Sequence, residues 1–273
     1  MDILQAIVLG IVQAISEWLP LSSKTLDALA YTELFGGPNE NVLSVLLFLH
    51  LGTLFAATIY FRREILEVLR EISHAPTNWK RHSTTKIGFI VSALFFTGVV
   101  GIPLLLIEHF ILPTLQGDAL LSVMGAGLIL TGFLLSTQHR HRWRSVNAAN
   151  WRDGILPGML QGLSVLPGVS RAGASTTGII WRGFDSESAF HLSFLLSIPT
   201  VLLAEVILWG AQAAQGGMGS LPASDGIMLV VSSFIFGYLT IGALLQIARS
   251  INVASLAFLF GIMMLLFGLM GIG

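Results

Sequence analysis

The chain has 273 residues, of which 54% are hydrophobic and only 11% are charged, with a formal net charge of −1. Soluble domains carry about a quarter charged residues, so this composition excludes a water-soluble globular protein and indicates an integral membrane protein. The balanced charge argues against a nucleic-acid partner, and the absence of cysteine excludes disulfides, thiolate nucleophiles and zinc–thiolate sites.

The first element is an apolar segment over 3–29 that is interrupted at Pro20-Leu21-Ser22-Ser23-Lys24. It begins without a basic region or a small-residue cleavage site, so we expect mature sequence rather than a signal peptide. Backbone that leaves the helix at membrane depth persists only where protein buries it or where it lines a wet cavity. The segment is therefore predicted to form a re-entrant helical hairpin.

A second broken segment covers 153–182 and is interrupted at Pro167-Gly168-Val169-Ser170-Arg171. We interpret it as a second re-entrant hairpin. The predicted fold is a single all-α polytopic membrane domain with two such hairpins and six transmembrane helices. Six segments are apolar over the roughly 20 residues that a bilayer requires, at 43–61, 87–107, 119–136, 189–210, 226–248 and 253–271.

Lysine and arginine are concentrated in two connections, 62–86 and 137–152, whereas 108–118 and 211–225 contain neither residue. The positive-inside rule places the two basic connections in the cytoplasm. Counting spans from there puts both termini outside, in a multi-pass protein of the cell membrane.

The two broken segments resemble each other. Gly10-x-x-Gln13-x-x-Ser16 matches Gly158-x-x-Gln161-x-x-Ser164 at an offset of 148, and a proline followed by a serine comes after both. The chain thus divides into repeat one (1–136), a cytoplasmic loop (137–152) and repeat two (153–273). An odd number of spans in each half inverts the second half, and inverted repeats with broken helices are typical of transporters.

Charged groups at membrane depth are costly and are usually functional. Glu17 lies beside the first break and shares a helix face with Gln13, four residues earlier. A carboxylate here suits a divalent cation, Mg²⁺ or Ca²⁺, or serves as a general base. The alternative is an ion pair between Glu17 and Lys24 or Arg171.

The second break combines hydroxyl groups, small residues and a forked cation at the start of a new helix, which suits a phosphate or diphosphate. The alternative is a simple kink whose arginine pairs with Glu17. The candidate phosphate ligands are Ser170, Arg171, Gly173, Ser175 and Thr176, with Ser22 and Ser23 in the matching role at the first break. Gln13, His50 and Gln161 are expected to contact the site residues rather than the substrate. A lone histidine such as His50 is as often purely structural.

The two motifs resemble the signatures of the undecaprenyl-pyrophosphate phosphatase family of the bacitracin-resistance type. That family carries Glu-x-x-x-Glu-Phe-Leu-Pro-x-Ser-Ser-x-Gly-His and Pro-Gly-x-Ser-Arg-Ser-x-x-Thr. Here the first motif begins at Gln13 and the second reads Pro167-Gly-Val-Ser170-Arg171-Ala172-Gly-Ala-Ser175.

The resemblance implies removal of the terminal phosphate from a polyprenyl diphosphate, with a divalent cation. It implies that Glu17 is the acidic metal ligand or base, that Ser22 and Ser23 lie at the reaction centre, and that Ser170 and Arg171 hold the phosphate. The expected partners are this lipid and the bilayer, with a homodimer left open.

Three positions depart from the family pattern. Gln13 replaces the first glutamate, Leu26 replaces the histidine and Ala172 replaces the second serine. Asp27 adjoins the position of the missing histidine, but a one-residue shift turns a side chain by roughly 100° on a helix. Either the chemistry proceeds through Glu17 and a serine, or the chain transports a polyprenyl phosphate as a flippase without hydrolysis.

Overall fold

The computed structural model describes residues 1–74, 78, 82–111, 117–138, 143–214, 221–250 and 253–271. These residues form helices and no strand beyond an isolated bridge between Arg144 and Phe184. The α-helices are α1 (Ile3–Trp18), α2 (Ser23–Leu29), α3 (Val42–Tyr60), α4 (Arg62–His74), α5 (Lys86–Ile111), α6 (Asp118–Ser136), α7 (Trp151–Gly162), α8 (Arg171–Trp181), α9 (Ser186–Ala214), α10 (Ala223–Ser250) and α11 (Val253–Met270).

Six of the described helices are long and apolar enough to cross a membrane, namely α3, α5, α6, α9, α10 and α11. They coincide with the six predicted spans, with ends that differ by a few residues. The prediction of a multi-pass, all-helical membrane protein is confirmed. The connection 62–86, predicted only as a basic loop, also contains the helix α4, which has 13 residues.

Both predicted helix breaks are present. The helix α1 ends before Pro20 and α2 begins at Ser23, whereas between α7 and α8 a short 3₁₀ turn at Leu163–Val165 precedes Pro167. The residue before each proline is extended, with ψ of 144° at Leu19 and 134° at Leu166, because the proline ring disfavours helical geometry there. At the second break the chain then turns through Gly168, whose φ is +86°.

The chain divides into two compact units. The first contains residues 1–19, 23–62 and 197–247. Its core is formed where α1, α3 and α10 meet, and glycines allow these helices to approach closely. A side chain at Gly10 would collide with Ser232, and one at Gly52 would collide with Ser233. The core side chains of this unit include Ala6, Leu9, Tyr31, Val45, Leu49 and Leu229.

The second unit contains residues 20–22, 63–196 and 248–273. In it α7 packs on α5, and Gly158 lies against Ala93 with no room for a β-carbon. The helix α6 packs on α11 and on α8. Its buried core includes Phe89, Ile179, Ile180, Phe184, Leu192 and Leu196.

A buried ion cluster fixes the start of α7. Asp153 is fully buried and accepts two hydrogen bonds from the Arg144 guanidinium, at 2.9 and 2.6 Å, and one from Arg182 at 3.1 Å. The Asp153 carboxylate raises the pKa of the Arg144 guanidinium. One of the arginines that predicted a cytoplasmic loop is therefore also a structural anchor. Four other basic residues behind that prediction, Lys80, Arg81, Arg140 and Arg142, lie outside the described residues.

Candidate active site

Three polar side chains converge at the first break. The Ser23 hydroxyl at the start of α2 donates a hydrogen bond to the Glu17 carboxylate at 2.9 Å. The Ser23 oxygen also lies 3.3 Å from His50 Nε2. His50 Nε2 lies 3.7 Å from the same Glu17 oxygen. The break lets Ser23 fold back towards Glu17, because α1 stops one residue after that glutamate. A hydroxyl beside a carboxylate and an imidazole is an arrangement suited to an activated nucleophile.

The orientation of His50 defines what its imidazole offers. Its Nδ1 lies 2.8 Å from the Leu46 carbonyl oxygen, one turn earlier on α3. A carbonyl accepts only, so Nδ1 carries a proton. The single proton of the Ser23 hydroxyl is donated to Glu17, so Nε2 contacts the Ser23 oxygen without accepting that proton. His50 therefore belongs to the cluster itself, although the sequence indicated only a supporting position.

Gln13 lies one turn before Glu17 on α1 and is fully buried. Its amide nitrogen donates to Thr53 Oγ1 at 3.0 Å, whereas its carbonyl oxygen has no hydrogen-bond partner among the described residues. Gln13 and His50 are both linked to Thr53, because Thr53 donates to the His50 carbonyl at 3.1 Å. The expected supporting role of Gln13 remains a prediction that this geometry favours.

Asp27 is another buried carboxyl group of the first unit, and it lies in α2. It is fully buried in α2, and neither of its oxygens has a hydrogen-bond partner among the described residues. Asp27 lies four residues after Ser23, so the two share one face of α2. Leu26, at the position of the missing family histidine, is half-buried on an adjacent face. Because Asp27 follows Ser23 by one helical turn, it lies on the same side of α2 as Ser23, which contacts Glu17 and His50.

The second break is held by hydrogen bonds to Thr131, a hydroxyl in the spanning helix α6. The Ser170 N–H donates to Thr131 Oγ1 at 2.9 Å, and that hydroxyl lies 3.2 Å from the Gly168 carbonyl. Ser170 in turn caps α8, because its hydroxyl accepts from the Gly173 N–H at 3.2 Å. The backbone at the start of α8 is thus fixed, with the half-buried Arg171 as its first residue.

The hydroxyls farther along α8 face the protein. Ser175 Oγ lies 2.6 Å from Ser193 Oγ, and Thr176 donates to the Ala172 carbonyl at 2.6 Å. Both side chains are fully buried. A direct contact between either hydroxyl and phosphate, as the sequence predicts, requires these bonds to be exchanged.

The predicted site residues fall into the two units. Glu17, Ser23 and His50 lie in the first unit, together with Gln13. Ser22 lies in the second, with Ser170, Arg171, Gly173, Ser175, Thr176 and Gln161. The motifs meet within the second unit, since a β-carbon on Gly173 would lie 3.5 Å from the Pro20 β-carbon. Gln161 donates to Thr97 at 3.0 Å, one turn after Gly158.

Sequence reasoning missed the three threonines that hold these segments, Thr53, Thr97 and Thr131. Each is a hydroxyl within an otherwise apolar spanning helix, where a polar side chain is expected to bond to another helix. That signal was present in the sequence, but it does not identify the partner.

The residues present suit a cation that is shared with a substrate rather than one held by the protein alone. Among the described residues, no three histidine, aspartate or glutamate side chains cluster as a metal site. Glu17 and the unpartnered oxygen of Gln13 are nevertheless oxygen donors one turn apart. Mg²⁺ is commonly bound by one or two carboxylates together with substrate phosphates, so the donor set fits such a site.

Comparison with known proteins gives concordant matches. The family described as "Bacitracin resistance protein BacA" matches residues 6–270. A Haloarcula marismortui protein named "Undecaprenyl-diphosphatase" is 34% identical over 259 residues, covering 95% of this chain and 94% of the relative. Proteins of the same name are 34% identical in Methanococcoides burtonii, covering 91% of each chain, and 33% identical in Saccharolobus solfataricus, covering 98% of this chain and 96% of the relative.

Proposed function

Because the chain belongs to the bacitracin resistance protein BacA family, we propose that it is an integral membrane phosphatase that converts undecaprenyl diphosphate to the monophosphate lipid carrier and free phosphate. The names of its relatives support the substrate and the reaction. The matches to these relatives cover nearly the whole chain. Transport of a lipid phosphate without hydrolysis is not favoured, because those relatives are named for hydrolysis.

The contact between Ser23 and Glu17 carries the proposed mechanism. The Ser23 oxygen attacks the terminal phosphorus as its proton passes to the Glu17 carboxylate, 2.9 Å away. The bond between that phosphorus and the bridging oxygen breaks, and undecaprenyl phosphate leaves with the proton that Glu17 took from Ser23, so that the Glu17 carboxylate is ionised again. A water molecule then attacks the phosphoserine with Glu17 as its base, which releases phosphate and returns the proton to Ser23.

His50 supports this proton transfer. With Nδ1 donating to the Leu46 carbonyl, the ring is held with Nε2 at 3.3 Å from the Ser23 oxygen and 3.7 Å from the Glu17 carboxylate. His50 thereby contacts both groups of the proposed proton transfer. We assign His50 the place of the family histidine, from a different helix.

Arg171 and the start of α8 are proposed to bind the phosphate. A guanidinium neutralises the charge spread over the phosphoryl oxygens, and preorganised charge is most of what phosphoryl transfer requires. The rigid Ser170 cap supports this role, because it fixes the backbone from which Arg171 extends. Ser22 remains a proposed residue of the reaction centre, and Gly173, Ser175 and Thr176 remain proposed contacts of the phosphate.

A divalent cation, Mg²⁺ or Ca²⁺, is proposed as cofactor, with Glu17 and Gln13 as its protein ligands. Such an ion would add positive charge at the phosphoryl oxygens. Glu17 would then both ligate the ion and accept the proton, which is compatible with the two oxygens of one carboxylate.

The inverted repeat and the re-entrant hairpins are also part of the proposal, and several paired features support them. Asp2 with Gln5 and Asn150 with Asp153 each form a capping box at the start of α1 and α7. The two boxes are offset by 148 residues, the offset of the sequence repeat.

Packing repeats in the same way. In the first unit α1 contacts α10 through Gly10 and Ser232, and in the second unit α7 contacts α5 through Gly158 and Ala93. Each broken helix thus packs on the second span of the other repeat. Gln13 and Gln161 each donate to a threonine at 3.0 Å. We further propose that the protein lies in the plasma membrane, with both termini outside and both basic connections cytoplasmic; a homodimer stays a prediction.

Phosphate release by the purified protein tests the function. Undecaprenyl diphosphate is supplied with and without Mg²⁺ or Ca²⁺, and we expect release that Glu17→Ala and Arg171→Ala abolish. Glu40→Ala and Arg152→Ala, at exposed positions, are the matched controls. No release with any divalent cation would rule the proposal out.

A further inference from the structure

The helix α4 exposes an apolar stripe although it is too short and too charged to span a membrane. Leu66, Leu69 and Ile72 are 49%, 55% and 38% exposed. Ile65 is half-buried and lies along the same stripe, because positions 65, 69 and 72 follow helical spacing. With 13 residues, α4 reaches about 20 Å, well short of the thickness of a bilayer core.

The charges of α4 are segregated around this stripe. Arg63 and Arg70 are exposed, lie seven residues apart on one face and flank Leu66. Within the described part of the chain neither arginine forms an ion pair. The outer surface of α4 therefore presents apolar side chains with a basic edge.

The acidic side chains of α4 face the other way. Glu64, Glu67 and Glu71 line a cavity of about 230 Å³ together with Val68 and Lys86. Glu64 and Glu71 are half-buried there, whereas Glu67 is exposed. Their negative charge is thereby turned away from the apolar stripe. An amphipathic helix with an apolar face and a basic edge is the pattern of a helix lying on a membrane surface.

We propose that α4 lies in the plane of the membrane interface, with Leu66, Leu69 and Ile72 in the acyl boundary and with Arg63 and Arg70 on anionic lipid headgroups. Chain connectivity supports this placement: α4 begins two residues after the spanning helix α3 ends, and the next span, α5, starts at Lys86. The connection between consecutive spans must begin and end at the same membrane face. The lipid surface is therefore the partner already adjacent to the stripe, and the basic edge selects anionic lipid.

The absence of cysteine makes a clean test possible, because one introduced cysteine is the only labelling site. A nitroxide label is attached to Leu69→Cys on the stripe and, as the control, to Glu67→Cys. Position 67 is exposed and lies on nearly the opposite side of the helix. The full-length protein is reconstituted in phosphatidylcholine vesicles with or without about one third phosphatidylglycerol.

We expect the label at 69 to collide with oxygen more than with a water-soluble nickel chelate, and the label at 67 to show the reverse. Phosphatidylglycerol should move the label at 69 deeper into the membrane. The double variant Arg63→Gln, Arg70→Gln should abolish this increase in depth, whereas Arg152→Gln should not change it. A label at 69 accessible to the nickel chelate in both vesicles overturns the proposal. So does a label shielded from both reagents, since that result indicates a protein contact such as a second copy.

Discussion

The two helix breaks are built from the same elements but hold different kinds of residues. Around the first break lie the titratable groups Glu17, His50 and Asp27, and two buried acceptors, Gln13 and Asp27, have oxygens without a hydrogen-bond partner among the described residues. The second break is fixed by a bonded series from Thr131 through Ser170 to Gly173. The first break has buried hydrogen-bond acceptors without partners among the described residues, whereas the second has a backbone fixed by hydrogen bonds.

On this difference we base the proposal that the two breaks divide the labour of the reaction. A group that must gain and lose a proton needs an environment in which both states are accessible, whereas a phosphate-binding backbone needs a single geometry. If a duplicated element specialised in this way, the two breaks should respond differently to substitution. Loss of proton transfer should dominate at the first break, and loss of phosphate binding or of rigidity at the second.

The largest effect is expected at Glu17. Glu17→Gln keeps the size of the side chain but removes the acceptor for the Ser23 proton, so kcat for phosphate release should fall about a thousandfold. Ser23→Ala should lower kcat by a similar factor. The double variant should have a kcat no lower than that of either single variant, because the two groups act as a unit. Glu40→Gln is the control. A decrease of less than threefold in Glu17→Gln would exclude it as the base.

Arg171→Lys should have the next largest effect. Lysine keeps the charge but loses the forked geometry that matches a phosphate, so kcat/KM should fall about tenfold to a hundredfold while the unfolding temperature stays the same. Steady-state kinetics and thermal unfolding in detergent measure the two quantities. Arg152→Lys, at an exposed position, should behave as the wild type. An unchanged kcat/KM would remove Arg171 from the phosphate site.

Thr131→Val tests whether the second break is a scaffold. It removes the acceptor for the Ser170 N–H, which leaves a buried donor unsatisfied at a cost of about 1–3 kcal/mol. The unfolding temperature should drop, and KM should rise more than kcat falls. Thr240→Val is the matched control, because in the described part of the chain the Thr240 hydroxyl has no hydrogen bond beyond its own helix, where it donates to the Phe236 carbonyl at 2.6 Å. Equal stability of the two variants would contradict the scaffold role.

The smallest effect, and one of opposite sign, is expected at Asp27. Asp27 is fully buried and neither of its carboxyl oxygens has a hydrogen-bond partner among the described residues, so the folded state stabilises its charged form poorly. The folded state thus resists ionisation that the unfolded state accepts, so Asp27 destabilises the fold increasingly as pH rises above the unfolded pKa.

Asp27→Asn should therefore raise the unfolding temperature by on the order of a few degrees at neutral pH and by almost nothing near pH 4. Unfolding scans across that pH range measure the difference. A gain that is constant with pH would show that the carboxyl proton is not involved. A loss of activity together with the gain in stability would assign Asp27 to the reactive cluster.

The sequence predicted the spans and both breaks well, because apolar length and the missing N–H of proline act locally. It also indicated Glu17 and Ser23, which are close along the chain. It could not predict that His50 approaches Ser23 from α3, nor that Thr131 holds Ser170, since each contact depends on how separate helices pack. The alignment of Asp27 with Ser23 follows from the four-residue spacing of a helical turn. The adjacent position Leu26 does not reveal it, because neighbouring residues point about 100° apart on a helix.

The packing of α1 on α10 and of α7 on α5 has a consequence for biogenesis. The helix α7 is made after its partner α5, so Gly158 meets Ala93 soon after synthesis. The helix α1 must wait for α10, because Gly10 packs on Ser232. At roughly 5–20 residues per second that interval is on the order of ten to forty seconds. The contact of α7 with α5 is therefore expected to form first, and the contact of α1 with α10 only near the end of translation.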